Sequence, residues 1–143
     1  MAVQTQVFQT QADNTFWTRS ELSLSDFAAE TTNSETLEIF PGRPNVAPVG
    51  LAIDVTTAFT GGSLTSAQLS LAKADGTELS TKADATATGK TLQEVLANTS
   101  LAFDTQVAMN VKLEAAGDTL DNLTAGALVI WVLYRGIPQP STA

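Results

Sequence analysis

The sequence predicts an all-β protein: an antiparallel β-sandwich of jelly-roll type, with one short helix and an extended N-terminal arm. Three observations carry this. Val49, Leu51, Ile53, Val55 and Phe59 alternate with more polar residues, the period-2 mark of a strand with one buried face. Similar alternations recur at Ala67–Leu71 and Val107–Leu113, separated by Gly61-Gly62, Asp75-Gly76 and Gly117-Asp118, which are turn formers. No strand–helix–strand spacing occurs, so a parallel sheet has no crossovers to build it. The chain's 143 residues suit one domain with an arm or tail.

Along the chain, residues 1–33 hold no sustained period. Phe8, Phe16 and Trp17 lie among Gln, Thr and Ser, which reads as an arm whose rings need cover. Residues 34–138 form the predicted sandwich, and 139–143 a tail. Leu37 and Ile39 begin it, before the Pro41–Asn45 loop with two prolines. The long alternation 49–59 follows. Ala67, Leu69 and Leu71 lead into Asp75-Gly76, a hairpin signal, and Leu79 opens a weaker strand. Thr91–Asn98 predicts the helix. Thr91 and Glu94 fit a capping box, and Leu92, Val95 and Leu96 share a helical face. Two turns do not stand alone, so this helix should plug one end of the sandwich. Leu101, Phe103, Val107, Met109, Val111 and Leu113 alternate again.

The last strand differs. Val129, Trp131 and Leu133 point one way, while Leu128, Ile130, Val132 and Tyr134 point the other. A strand apolar on both sides is covered on both sides. It should lie in the centre of a sheet, its outer face meeting another subunit or the arm.

Composition removes several chemistries. The chain has no Cys and no His, which excludes disulfides, zinc-thiolate sites, thiol nucleophiles and the Ser-His-Asp triad. With 7 Lys and Arg against 15 Asp and Glu, net charge is −8, which disfavours phosphate backbones and hence nucleic-acid partners. The first ten residues lack the basic and apolar regions of a signal peptide. The longest apolar run, Ala125–Tyr134, is shorter than the ~20 residues a membrane helix requires. A soluble protein made in a cytoplasm, without membrane partners, is expected.

Catalytic and metal constellations are weak. Glu35 and Glu38, Asp75 and Glu78, and Asp118 and Asp121 are close carboxylate pairs, but Asp75 and Asp118 sit in turn contexts. Asp118, Asp121 and Asn122 offer oxygens, yet not at the spacing of a calcium loop. Gly89-Lys90-Thr91 lacks the earlier glycine of a phosphate loop, since Asp84 stands there. Asp54 lies on the polar side of its strand, where a basic neighbour would pair with it. The expectation is no enzyme, no cofactor and no metal.

The chain resembles small tailed-phage virion proteins, with their polar N-terminal arms and Thr/Ala/Gly-rich sandwiches. The likeness rests on Leu123–Tyr134, Val107–Leu113 and Ile53–Gly62 and covers about residues 49 to 136. Within that group it is most similar to capsid decoration (cement) proteins. The resemblance implies a homotrimer on the outer capsid surface, clamping neighbouring major capsid proteins in the virion. The expected contact residues are Phe8, Phe16 and Trp17 of the arm, Arg43 of the proline loop, and Trp131, Tyr134 and Arg135 of the closing strand. Trp and Tyr are enriched at interfaces. A carbohydrate-recognition module, using such rings as platforms, is the alternative.

Overall fold

The computed structural model describes residues 4–9, 15–27, 31–96 and 106–136. Among them are nine strands: β1 (Gln4–Gln9), β2 (Thr15–Ser23), β3 (Ser34–Phe40), β4 (Val46–Thr60), β5 (Ser66–Ala72), β6 (Ala83–Asp84), β7 (Gly89–Gln93), β8 (Met109–Ala116) and β9 (Ala125–Gly136). A four-residue helix, α1 (Leu24–Phe27), follows β2, and a 3-10 turn covers Leu120–Asn122. One sheet has the order β1-β2-β9-β4-β7 and the other β3-β8-β5-β6, with every strand pair antiparallel. β5 pairs with β6, β4 with β7, β3 with β8 and β2 with β9. A chain folded back at the β5–β6 connection and then rolled gives this nesting, the jelly-roll arrangement. β1 adds a fifth strand outside β2.

The core lies between the sheets. Leu51, Ile53, Val55 and Phe59 of β4 face Leu69 and Leu71 of β5 and Met109, Val111 and Leu113 of β8 across it. Leu128, Ile130, Val132 and Tyr134 of β9 complete it. These are the alternations the sequence displays, with one exception. Val49 is 45% exposed, because a bulge between Pro48 and Gly50 shifts the register against β9 and turns Pro48 inward instead. A second bulge, between Glu38 and Phe40 of β3, lets Ile39 and Phe40 both reach the core.

Two expectations need correction. Residues 15–23 do not form an arm. They are β2, hydrogen-bonded between β1 and β9 inside the five-stranded sheet. Phe16, Thr18, Ser20 and Leu22 point into the sandwich. Two of these four are hydroxyl residues, which hides the alternation from a hydrophobicity reading. The Thr5 hydroxyl donates to the Ile39 carbonyl at 2.9 Å and shares a hydrogen bond with the Ser20 hydroxyl at 2.8 Å. Buried Ser20 thus finds a partner in Thr5, which in turn links the two sheets.

The helix expected over Thr91–Asn98 is also absent from its described residues, which end at Leu96. Gly89–Gln93 pairs instead with Leu51–Val55 of β4 as an edge strand. Five ladder positions along β4 outweigh two turns of isolated helix, whose nucleation is unfavourable. Beyond β7 the chain crosses to the other sheet: Thr81 N–H donates to Glu94 O at 2.9 Å and Leu96 N–H to Leu79 O at 2.8 Å. Leu101, Phe103, Asn98 and the 139–143 tail lie outside the described residues.

The helix that does form plugs one end of the sandwich. Asp26 Oδ2 accepts the Ser23 N–H at 2.8 Å, a capping contact, and Phe27 is fully buried edge-on to Phe59. At this end Gly126 of β9 lies against the Phe59 ring, and a Cβ there would stand 2.3 Å from it. Gly126→Ala therefore overpacks the plug and should destabilise the fold by about 1–3 kcal/mol, read as a lower urea midpoint at unchanged slope.

Candidate functional site

The outward face of the five-stranded sheet follows from register. Its central strand β9 sends Ala127, Val129, Trp131, Leu133 and Arg135 outward, opposite the core residues. Across from them on β2 stand Ser23, Glu21, Arg19, Trp17 and Thr15. On β4 stand Thr57, Asp54, Ala52, Gly50 and Ala47. β7 adds Lys90 opposite Asp54 and Leu92 opposite Ala52. The face thus has an apolar ridge along β9, a trough of small residues at Gly50 and Ala52, and Leu92 on the far bank. Leu92 is 84% exposed and Trp17 40%. Val129 is only 7% exposed although it faces outward.

Cations lie over the central ring. The Arg19 guanidinium sits 5.8 Å from the Trp131 ring centroid, and the Lys90 ammonium 4.7 Å. Both fall within cation–π range. Arg19 also pairs with Glu21 at 2.6 Å. Asp54 and Arg135 form no ion pair among the described residues, and Lys90 contacts the ring instead of its opposite Asp54.

The four-stranded sheet presents a different outward face. Lys82 bridges Glu78 at 3.2 Å and Glu114 at 3.0 Å, and Lys112 bridges Glu78 at 3.3 Å and Glu114 at 3.8 Å. The hydrogen bonds in this network raise the Lys82 pKa and lower that of Glu114. A polar hollow lined by Ser34, Thr36, Asp75, Gly76 and Lys112 adjoins it. Its Lys112 Nζ is already occupied by Glu78 and the Gly76 carbonyl.

The predicted contact residues divide between these surroundings. Trp17, Trp131 and Arg135 share the outward face. Phe8 lies opposite Trp17 in the β1–β2 register. Phe16 and Tyr134 point inward and are buried. Their rings stack 5.1 Å apart, with Phe40 4.9 Å from Tyr134. Burial pushes the Tyr134 phenol pKa up and the nearby Thr18 hydroxyl pulls it back, though neither hydroxyl meets a partner in full hydrogen-bond geometry. Arg43 caps this aromatic end, 4.5 Å from the Phe16 ring. Phe16, Arg43 and Tyr134 therefore close the sandwich rather than flank Trp131. The sequence reading missed Arg19, Lys90 and Leu92. Their signal was only the strand register, which appears once β2 and β7 are recognised as strands.

The carboxylate pairs do not converge. Asp75 accepts from the Thr77 N–H, and Asp84 from the Thr86 hydroxyl and N–H, which lowers their pKa values. Glu35 and Glu38 face opposite sides of β3, opposite Leu113 and Asn110. Asp118 Oδ1 accepts from Thr119 N–H and Asn122 Nδ2, and Oδ2 from Ser63 N–H and Oγ. Its oxygens are filled by protein donors that tie two turns together. No group of three or more acidic side chains with metal-binding geometry occurs among the described residues. Among them, no helix is long and apolar enough to cross a membrane. Comparison with protein-family models and with curated proteins finds no match for the chain.

These donors, Asn122 first, hold the Asp118 pKa down to about 2, against an ordinary 3.8. A depressed folded-state pKa gives stability that is complete above the ordinary value and lost as pH falls towards about 2. Thermal melts between pH 5 and ~2 should therefore show a falling Tm. Asp118→Asn should melt lower at pH 5 and lose less on acidification.

Proposed function

We propose that the chain is a structural virion protein, a capsid decoration protein that self-associates and braces neighbouring major capsid proteins on the outside of a phage head. The observation that carries this reading is the outward face around Trp131. The core is closed by the inward half of β9, yet the outward half is apolar as well. A face with Trp131, Leu133 and a largely exposed Leu92 stabilises little inside one subunit and much against a neighbour. Its aromatic centre and charged rim match the composition of protein interfaces. Jelly rolls serve in both viral capsid and lectin domains, so the fold does not choose between them. The face and the resemblance at Leu123–Tyr134 favour the capsid.

Such a protein works through contact area. An oligomer that meets several capsid proteins at once gains avidity from effective concentration without further contacts. The acidic surface away from this face suits a position outside a DNA-filled shell.

A carbohydrate module is the second reading, favoured by two tryptophans at diagonal positions on adjacent strands of a broad sheet face. Arg19 and Lys90 stand over Trp131, where a sugar ring would have to stack. Quenching of Trp fluorescence by an oligosaccharide panel would favour this reading.

Co-sedimentation with tailed-phage heads assembled without the protein tests the decoration reading. Wild-type chain should pellet with heads, and Trp131→Ala, still folded by circular dichroism, should bind about tenfold or more weakly, as for an interface hot spot. Equal retention of both proteins, or of neither, would overturn it.

A further inference from the structure

We infer that the outward face of the five-stranded sheet docks a second copy of this chain, face to face about a two-fold axis. The inference rests on the reading above and names the occupant of its contact face.

Shape is the first argument. The ridge of Val129, Trp131 and Leu133 runs beside the trough at Gly50 and Ala52, with Leu92 on the far bank. A two-fold axis sets the ridge and Leu92 of each copy against the trough of the other, because an isologous contact repeats every pairing twice. Leu92, the most exposed large apolar side chain described, is then covered. Packed sheets stand about 10 Å apart with interdigitated side chains.

Charge is the second argument. The chain carries −8 overall, so most pairs of surfaces on two copies repel. This face is close to neutral, with Arg19, Lys90 and Arg135 against Glu21 and Asp54. Only Arg19 and Glu21 are paired within the face. Asp54 on one side, and Lys90 and Arg135 on the other, are left for a partner carrying both signs. The facing copy is such a partner, placing its Lys90 against Asp54 and its Asp54 against Lys90. The lysines of the other sheet's outward face are already neutralised within the chain by Glu78 and Glu114.

Size is the third argument. Five strands at ~4.8 Å spacing and a β2 length of about nine residues give a face of ~600 Å² per copy. The total of ~1,200 Å² lies at the lower end of specific, stable interfaces. A micromolar, concentration-dependent dimer is the expected result, in place of the trimer implied by the resemblance.

Light scattering coupled to size exclusion, across ~1 to ~300 µM chain, tests this. Wild type should move from 15.0 kDa to twice that mass, and Leu92→Glu should weaken dimerisation at least tenfold. Asp54→Lys alone and Lys90→Asp alone should each be largely monomeric. Their equimolar mixture should dimerise as wild type does, because both cross-copy pairs again join opposite charges, one as in wild type and one with signs exchanged. Monomers throughout the range, a trimer, a dimer indifferent to Leu92→Glu, or a mixture no better than its components would overturn the inference. Head binding is scored separately. A wild-type monomer that needs Leu92 for head retention would leave the decoration reading standing while assigning this face to the capsid. A dimer with the expected swap behaviour that ignores heads would do the reverse.

Discussion

The structure depends on β9 being apolar on both faces. One strand cannot bury two faces in a two-layer sandwich unless something lies outside the second layer. β9 occupies the centre of its sheet, with β2 and β4 on its flanks, and its inward residues close the core against β8 and β5. The outward residues gain only what neighbouring side chains supply. Val129 is nearly covered, and Trp131 is partly covered by Arg19 and Lys90. Burial of apolar surface is worth roughly 25 cal/mol per Å², so the uncovered remainder is a standing drive towards association.

The small and hydroxylic residues that dominate the composition set the rest. Ala67, Ala83, Ala85 and Ala115 are fully or almost fully buried, permitting close approach between layers. Thr5 and Ser20 carry a hydrogen-bonded link from one sheet to Ile39 in the other. The charged residues gather outside, in the Glu78–Lys82–Lys112–Glu114 network and at the rim of the Trp131 face.

How much of this was legible in the sequence depended on whether strand polarity matched hydrophobicity. β4, β5 and β8 could be read directly, since Leu51–Phe59, Ala67–Leu71 and Met109–Leu113 alternate cleanly, and β9 from its unbroken apolar run at Ala125–Tyr134. β2 could not, because Thr18 and Ser20 occupy inward positions, so an internal strand reads as an arm. β7 was misread because the Thr91–Glu94 capping signal is local, whereas the ladder to Leu51–Val55 is not. Contact-face residues followed the same rule. With both faces of β9 apolar, its phase separates Trp131 from Tyr134 without saying which faces out. Tyr134, three positions on, takes the opposite phase and joins Phe16 and Phe40 in the core. Lys90 and Leu92 depended on a strand that local sequence disguised as helix.

The cations over Trp131 connect the isolated subunit with an assembled one. An uncovered tryptophan at the centre of a flat sheet invites nonspecific association. Arg19 and Lys90 reduce that hazard by holding charged groups over the ring, 5.8 and 4.7 Å from its centroid. The contact is a weak cation–π interaction near a surface, so a partner bearing a carboxylate and an apolar ridge can replace it at little cost. A buried ion pair would not yield so readily, because separating it would leave a charge unpaired. In the proposed dimer, unpaired Asp54 on the same face as Lys90 gives the ammonium somewhere to go when Trp131 is covered: the carboxylate of the opposing copy. In this arrangement the side chains that shield the free face also set the register of the bound one.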